Sequence, residues 1–268
     1  MTGRVLVVGA CGRMGERVRA ALDLHPELSL GAALEAPGHP QLGSELAPGV
    51  QLVSDVAAAL EGVDCAIVFA TPEPTLALLR AAAERGVPCA VGTTGLNEAQ
   101  QAEVAVLAKR IPIVVAANFS VAVHVLLHLA RRAAELLGDG FDAEIVELHH
   151  AAKVDAPSGT ALALGRAIAQ GQGQRLEDHA VLAREGHTGA RPEQAIGIQA
   201  LRGGDNPGEH TVLFLGSGER LELVHRAMTR DHFARGALRA AAWARGREPG
   251  LFDMAEVLGL EAPSADPA

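Results

Sequence analysis

The fold of the first part of this chain is indicated by the sequence Arg4-Val5-Leu6-Val7-Val8-Gly9-Ala10-Cys11-Gly12-Arg13-Met14-Gly15. A β-branched run, Arg4–Val8, ends in glycine, and the apolar spacing from about Arg13 to Leu24 predicts a helix. Glycines at such a turn let the backbone approach a pyrophosphate, and the free N–H groups of the helix start attract an anion. The stretch predicts a dinucleotide-binding turn. A purely structural glycine turn is the alternative, because glycine spacing alone has low specificity.

Strand and helix signals alternate from this turn to about residue 119. The predicted strands are Leu28–Leu34, Asp64–Ala70, Pro88–Val91 and Ile111–Ala117, with helices from Arg13, after Pro74 and from Asn97 to Arg110. Strands that alternate with helices of this length indicate a parallel sheet covered by helices on both faces. The sequence therefore predicts an α/β fold with a Rossmann-like, doubly wound parallel sheet.

The pattern changes after Asn118. A long amphipathic helix, Ser120–Leu137, precedes a strand, Glu144–His149, and a helix from Ser158 to about Gln170. A polar, glycine-rich stretch, Gly171–Arg191, is predicted to be a loop. Three further strands, Ala195–Leu201, His210–Leu215 and Arg220–Ala227, are separated by turns, which is typical of a mixed or antiparallel sheet. We expect a second, α+β domain over residues 120–230. The last helices, Asp231–Arg245 and within Leu251–Leu260, are expected to return to the first domain, which then comprises 1–119 and 231–268, with a loose Pro/Ala tail.

Composition excludes several classes of protein. The formal net charge of −9 and the lack of a Lys/Arg cluster argue against a nucleic-acid-binding protein. No stretch approaches the roughly 20 apolar residues of a membrane span, and the N-terminus enters a strand directly, so we expect a cytoplasmic protein without a membrane partner. The three cysteines include no C-x-x-C pair. We therefore expect neither a disulfide framework nor a metal site.

Further residues at the predicted strand ends suit a nucleotide. Glu35 follows the second strand, where a carboxylate accepts hydrogen bonds from the ribose hydroxyls of NAD, and Ala36 offers no cation for the 2′-phosphate of NADP. This predicts a preference for NADH over NADPH; an ordinary exposed glutamate is the alternative. Two turns at the carboxyl ends of the next strands add candidate contacts, although turn chemistry alone explains such residues equally. The candidates in these turns are Phe69, Gly92, Thr93 and Thr94.

A second motif concentrates groups that carry charge and protons. It reads Glu147-Leu148-His149-His150-Ala151-Ala152-Lys153-Val154-Asp155-Ala156-Pro157-Ser158-Gly159-Thr160. Histidine titrates near neutral pH, and lysine supplies a compact charge for a carboxylate. The chain has only two lysines, Lys109 and Lys153, so a lysine inside this motif is notable. Ser158-Gly159-Thr160 at a helix start adds backbone N–H groups and hydroxyls for an anion. The motif predicts a proton donor within a pocket for a small dicarboxylate. Alternatively, the two histidines only end a strand, with one ring packed and one exposed, and Asp155 and Ser158 are ordinary turn and cap residues.

These residues together resemble those of the dihydrodipicolinate reductase family, also called the 4-hydroxy-tetrahydrodipicolinate reductase family. The resemblance covers nearly the whole chain, and its most specific part is the run from His149 to Thr160. The other matching segments are Val8–Gly15, Gly92–Gly95, Ala117–Ser120, Arg184–Gly189, Arg202–Asp205, Gly208–Thr211 and His225–Ala227.

The resemblance implies reduction of 4-hydroxy-tetrahydrodipicolinate to tetrahydrodipicolinate by hydride from NAD(P)H, in diaminopimelate and lysine biosynthesis. It implies that His149 is the proton donor or its close partner, and that Lys153 assists it and binds substrate. His150, Gly159 and Thr160 would hold the substrate carboxylates, and Ala117, Asn118 and Phe119 would join the cofactor site. Family members are homotetramers that associate through the sheets of their substrate domains, so 120–230 is also the expected oligomerisation domain.

The chain departs from the family pattern at three positions. Ala122 and His124 stand where the family has glycine and asparagine, and Cys11 replaces an alanine-like residue in the phosphate turn. Two other functions remain open. A related NAD(P)-dependent amino-acid-pathway dehydrogenase with a different small anionic substrate would keep the glycine turn but lack the His149–Thr160 run. A non-catalytic nucleotide sensor would lack the proton donor.

Overall fold

The computed structural model describes residues 2–260, so the expected loose tail at 261–268 lies outside the described residues. The strands, in chain order, are β1 (Gly3–Val8), β2 (Leu28–Leu34), β3 (Glu45–Ala47), β4 (Val50–Val53), β5 (Cys65–Val68), β6 (Cys89–Val91), β7 (Pro112–Val115), β8 (Asp142–His149), β9 (Ala180–Val181), β10 (Ile196–Arg202), β11 (Glu209–Leu215), β12 (Arg220–Arg226) and β13 (Gly250–Phe252). The α-helices are α1 (Arg13–Leu22), α2 (Val56–Ala59), α3 (Pro72–Arg85), α4 (Glu98–Leu107), α5 (Val121–Leu137), α6 (Gly159–Gly171), α7 (Leu176–His179), α8 (Asp231–Ala244) and α9 (Met254–Leu258).

These elements form two compact units. The first unit contains residues 2–121 and 231–260, and the second contains 122–230. Each unit has its own sheet and its own apolar core, as expected for segments that fold around separate cores.

The sheet of the first unit has the strand order β13-β7-β6-β5-β1-β2-β4-β3. Every neighbouring pair is parallel except β3 with β4. The order reverses at β1, which lies between β2 and β5. Strands such as β5 and β6 are buried along their whole length, because helices cover both faces of a parallel sheet. The predicted doubly wound class is confirmed.

Two apolar cores sandwich this sheet. Helices α1 and α8 pack on one face, where α8 contacts β5, β6 and β7 through alanines such as Ala237 and Ala241. Helices α3 and α4 pack on the other face through Leu78, Leu79 and Val104. The small side chains of α8 let its backbone approach closely; a methyl group built on Gly236 would overlap the carbonyl oxygen of Phe119. This packing joins α8 to the first unit.

The second unit has a mixed sheet of order β12-β11-β8-β10-β9. Central strand β8 runs parallel to β10 and antiparallel to β11. Its buried positions alternate, so Ala143 and Ile145 share one face with Glu147 and His149. Helix α6 packs on β8 and β10. The predicted mixed sheet is confirmed, and its central strand carries the histidine motif into a buried environment.

Four short segments differ from the sequence prediction. The β3–β4 hairpin, α2 and β13 were not expected, and the stretch predicted as a loop, Gly171–Arg191, contains α7 and β9. Each of these elements is at most four residues long, which is too short for a periodic apolar signal.

Among residues 2–260, no helix combines the length and the apolarity that crossing a bilayer demands.

Candidate active site

The glycine turn between β1 and α1 has no space for side chains at two positions. Gly9 has φ +72°, and a Cβ there would lie 2.3 Å from the carbonyl oxygen of Phe69. A Cβ on Gly15 would lie 2.0 Å from the carbonyl oxygen of Gly9. The turn therefore depends on glycine to bring α1 close to β1.

The start of α1 is open to an anion. Its N-cap is Gly12, which has no side chain to cap the helix, and the first N–H group bonded within the helix belongs to Glu16. The preceding N–H groups of Arg13, Met14 and Gly15 are thus the ones that a helix leaves without an internal acceptor. Gly12 and Arg13 are exposed. This geometry fits the pyrophosphate of a dinucleotide.

Replacing Gly15 by alanine should damage this turn. The added methyl group has no room beside the carbonyl oxygen of Gly9, so we expect at least a tenfold weaker binding of NADH and a loss of about 1–3 kcal/mol in the free energy of unfolding. Calorimetric titration with NADH and chemical denaturation measure both effects. Gly246→Ala is the control, because a Cβ there meets no atom within 4 Å. Equal effects of the two substitutions would contradict the steric argument.

Glu35 lies at the end of β2 and reaches back to the glycine turn. Its Oε2 accepts a hydrogen bond from the Cys11 N–H at 3.1 Å, and Oε1 accepts one from the Ala36 N–H at 3.1 Å. Each carboxylate oxygen has two lone pairs, so these bonds leave acceptor capacity for ribose hydroxyls. The carboxylate also brings negative charge to the edge of the turn, where it would repel a 2′-phosphate.

Three of the predicted cofactor residues have buried side chains. Ala10 and Phe119 belong to the core, and Phe119 packs edge-to-face on Phe69 at 5.9 Å between ring centroids. The hydroxyl of Thr93 lies 2.6 Å from that of Thr75. At these positions only backbone atoms remain for a ligand. Gly92 permits the close approach of the Phe69 ring, and Thr94 is exposed.

One group of potential metal ligands occurs within residues 2–260. Donor atoms of Cys11, Glu35 and His39 lie within 4.8 Å of one another. The group coincides with the glycine turn, and the sequence predicts no metal there. Burial is the main cause that raises the pKa of the Cys11 thiol, and the nearby Glu35 carboxylate adds to it. Both effects favour the neutral thiol over the thiolate that binds metals.

The second unit places His149 at the end of β8, with 8% of its surface exposed. Its Nδ1 lies 2.5 Å from Oε2 of Glu147. A Cβ built on Gly208 would lie 2.8 Å from the other ring nitrogen, Nε2, so glycine allows the backbone to approach this nitrogen closely. Since Nδ1 is engaged by Glu147, Nε2 is the nitrogen left to give or take a proton.

Glu147 is fully buried and holds several partners. Arg202 donates to both carboxylate oxygens at 2.9 Å, and the Ser158 N–H donates to Oε1 at 2.9 Å. Burial raises the pKa of Glu147, but the hydrogen bonds from Arg202, His149 and Ser158 outweigh it, and the pKa is below the ordinary range. Glu147 is therefore ionised at neutral pH and only accepts hydrogen bonds, which makes His149 Nδ1 a donor.

Burial also governs the histidines around this carboxylate. The pKa of His149 is lowered, mainly by burial and further by the charges of Lys153 and Arg202, while Glu147 acts in the opposite direction. His210 packs against the His149 ring, with 5.2 Å between centroids. Its pKa falls to about 3, chiefly because of burial. His210 is thus a neutral neighbour that does not compete for the proton of His149.

Lys153 follows β8 in a turn stabilised by a hydrogen bond from its N–H to the His150 carbonyl oxygen, at 3.1 Å. Its Nζ lies 2.6 and 2.8 Å from the two carboxylate oxygens of Asp155. The side chain of Lys153 is 19% exposed and that of Asp155 is 55% exposed. An incoming carboxylate must therefore share or displace Asp155 to reach this ammonium group. His150 is half-buried.

Ser158 is the N-cap of α6, and its hydroxyl accepts a hydrogen bond from the Ala161 N–H at 3.2 Å. The side chain is buried and caps α6, and the backbone N–H of Ser158 donates to Glu147. Gly159 is exposed and Thr160 is half-buried. The structure brings His149 and the Ser158 N–H together around Glu147, while Lys153 pairs with Asp155 and its charge lowers the pKa of His149. It leaves the start of α6 as the part that faces solvent.

Sequence reasoning did not assign a role to Glu147, Arg202 or His210. Glu147 begins the quoted motif, and Arg202 and His210 lie in matching segments further along the chain. The available signal for Glu147 was its charge, because the alternation of the strand requires an apolar residue at that position. No local signal pairs it with Arg202, which is 55 residues away.

A glycine turn on a doubly wound sheet, with a histidine and a lysine at a strand end of a separate unit, defines the class of NAD(P)H-dependent oxidoreductases with two units. Family models for the N-terminus and the C-terminus of dihydrodipicolinate reductase match residues 3–119 and 122–258. The chain therefore belongs to the dihydrodipicolinate reductase family.

Individual relatives agree with this assignment. The 4-hydroxy-tetrahydrodipicolinate reductase of Thiobacillus denitrificans is 49% identical over 267 residues, which cover 97% of this chain and 100% of the relative. That of Acinetobacter baumannii is 48% identical, covering 96% of each chain. A dipicolinate-bound dihydrodipicolinate reductase from a Paenisporosarcina species has a TM-score of 0.78 at 23% identity, covering 96% of this chain and 99% of that one. At this identity the structural likeness supports the fold alone.

Proposed function

We propose that this protein reduces 4-hydroxy-tetrahydrodipicolinate to tetrahydrodipicolinate in diaminopimelate and lysine biosynthesis. The observation that carries the proposal is the intact run from His149 to Thr160, folded around a buried carboxylate in a chain of this family. The other candidates from the sequence, a dehydrogenase with another substrate or a nucleotide sensor, have no feature of the structure in their favour.

The proposed division of labour follows the two units. The first unit holds the nucleotide, with the pyrophosphate at the start of α1 and the ribose hydroxyls at Glu35. When bound, NAD(P)H supplies the hydride. The remaining proposed contacts are Phe69, Gly92, Thr93 and Thr94 together with Ala117, Asn118 and Phe119. Of these, the buried residues contribute backbone groups, because their side chains already pack in the core.

The second unit binds the substrate and supplies the proton. We assign the proton to His149 Nε2, because Nδ1 donates to Glu147. Lys153 provides positive charge that stabilises negative charge developing on the substrate. His150, Gly159 and Thr160 hold the substrate carboxylates. Ser158 stays part of the proposed substrate site, and by capping α6 it orients the N–H groups at the start of that helix.

A homotetramer that associates through the sheets of the second unit is part of the proposal. The face of this sheet opposite its apolar core carries exposed apolar side chains at Leu201, Leu215 and Val224, which suit burial against another copy. The proposed compartment is the cytoplasm.

Direct assay tests this function and its cofactor preference together. Oxidation of NADH and of NADPH is followed separately with freshly generated substrate, and we expect rapid, substrate-dependent oxidation with a higher kcat/KM for NADH. The reason is the Glu35 carboxylate, which accepts hydrogen bonds from the ribose hydroxyls of NADH and repels the 2′-phosphate of NADPH. Glu35→Gln should move the ratio toward NADPH, whereas Glu45→Gln, on the edge strand β3 of the same sheet, should not.

Two results would contradict these expectations. No oxidation of either nucleotide by folded protein that still binds NADH would exclude the proposed substrate. A ratio of the two kcat/KM values that Glu35→Gln leaves unchanged would remove Glu35 from cofactor selection.

A further inference from the structure

Glu147 is a buried, charged residue whose presence in the core requires a physical explanation. It is fully buried at the centre of a sheet, on the same face of β8 as Ala143 and Ile145. Taking a carboxylate out of water is costly unless it is paired and hydrogen-bonded. Apolar residues at the neighbouring inward positions show that the strand packs without charge there, so packing alone does not account for a glutamate.

The partners of Glu147 come from three different elements. His149 lies on β8 itself, Arg202 is the last residue of β10, and Ser158 caps α6. The parallel register pairs Arg202 with His149, which brings the guanidinium beside the carboxylate. A single carboxylate thus connects the proposed proton donor to the helix start proposed to bind the substrate.

The charges around His149 otherwise oppose its protonation. Lys153 and Arg202 are both cationic and both act on the imidazole, and His210 on β11 stays neutral. Among the groups that face His149 in the described chain, Glu147 is the anion. An imidazole that must carry a proton at neutral pH needs such a counter-charge.

From this geometry we infer that Glu147 is a positioning residue, which fixes His149 in the Nδ1–H tautomer, keeps Nε2 for the proton that is transferred, and holds the start of α6 in register with it. This inference rests on the proposed function. An orienting carboxylate of this kind is known to matter in other enzymes, where its neutral amide isostere holds the wrong tautomer and activity falls steeply.

The first test measures the tautomer of His149 in the unmodified protein. Nitrogen-15 chemical shifts of the His149 ring, assigned by comparison with His149→Gln, are recorded against pH. We expect the neutral ring to carry its hydrogen on Nδ1. A neutral ring with its hydrogen on Nε2 would overturn the inference. This measurement needs no substrate, so its outcome is independent of whether the proposed reaction is correct.

The second test replaces the carboxylate by its isostere, Glu147→Gln. We expect kcat to fall by about 10²-fold, and the alkaline limb of the kcat/KM profile to move to lower pH by about one unit or more, because the counter-charge is lost. The dissociation constant of NADH should stay the same. Glu144→Gln is the matched control, since Glu144 lies on the same strand and is also paired with arginines, Arg184 and Arg191.

The comparison separates positioning from structure. If both variants lose kcat equally and neither moves the pH limb, Glu147 is only a structural ion pair and the inference fails. If Glu147→Gln does not fold, the conservative Arg202→Lys variant takes its place. We expect Arg202→Lys to keep the His149 tautomer and most of the activity, since Glu147 keeps its contacts with His149 and Ser158. Loss of that tautomer in Arg202→Lys would overturn the inference.

Discussion

Replacement of His149 by glutamine is expected to lower kcat by about 10²–10⁴-fold, the range that a positioned general acid contributes. Glutamine retains a polar group of similar reach but carries no transferable proton. Steady-state oxidation of NADH with the proposed substrate measures the effect, and calorimetric titration should give an unchanged dissociation constant for NADH. His179→Gln, in the short helix α7 of the same unit, is the control and should retain full activity.

The role proposed for His149 also predicts the direction in which kcat/KM changes with pH. The proposed role requires His149 in its protonated form, and its pKa lies below the ordinary value because burial and two cations outweigh Glu147. The kcat/KM of the wild type should therefore decline as pH rises from the acid side through that lowered pKa and continue to fall toward pH 9. The alkaline decline should vanish in His149→Gln. A wild-type profile that is flat from pH 6 to 9 would count against His149 as the donor.

Lys153→Ala should have the second largest effect, a loss of about 10²–10³-fold in kcat/KM for the substrate. The substitution removes the ammonium group that lies against Asp155 and leaves that carboxylate without its counter-charge. An anionic substrate then meets the negative charge of Asp155 alone instead of a neutral Lys153–Asp155 pair. The effect is measured by the same assay, with NADH held at saturation.

Lys109→Ala is a natural control for this variant, because Lys109 is the other lysine of the chain and lies exposed between α4 and β7. It should leave kcat/KM and the NADH dissociation constant unchanged. If Lys153→Ala weakened NADH binding as much as it lowered turnover, Lys153 would be a structural residue and its proposed role in substrate binding would be wrong.

Much of the fold could be predicted because its signals are local. The β-branched run Arg4–Val8, the glycines of the following turn and the apolar spacing of α1 lie within about twenty residues of one another. Strand β2 was predicted with the bounds it has in the structure, and the mixed sheet of the second unit followed from the turns between its strands. Such patterns reflect which face of an element is buried, and that information is carried by neighbouring residues.

The short elements could not be predicted in the same way. The hairpin of β3 and β4 has strands of three and four residues, and it extends the sheet only because β4 pairs with β2. An edge of this kind is stabilised by its long-range partner rather than by its own sequence pattern.

In the candidate site, too, some features follow from the local sequence and others depend on long-range contacts. From the sequence we predict the residues that bring chemistry: the glycine turn, Glu35, and the run that contains His149 and Lys153. Which groups surround these residues depends on the tertiary structure. Pairing of β8 with β10 brought Arg202 to Glu147 across 55 positions of sequence, and α6 folded back so that the Ser158 N–H reached the same carboxylate. The type of each residue can be read from the local sequence. Burial and charge pairing depend on which distant strands become neighbours, and it is burial and charge pairing that set the tautomer and the pKa of His149.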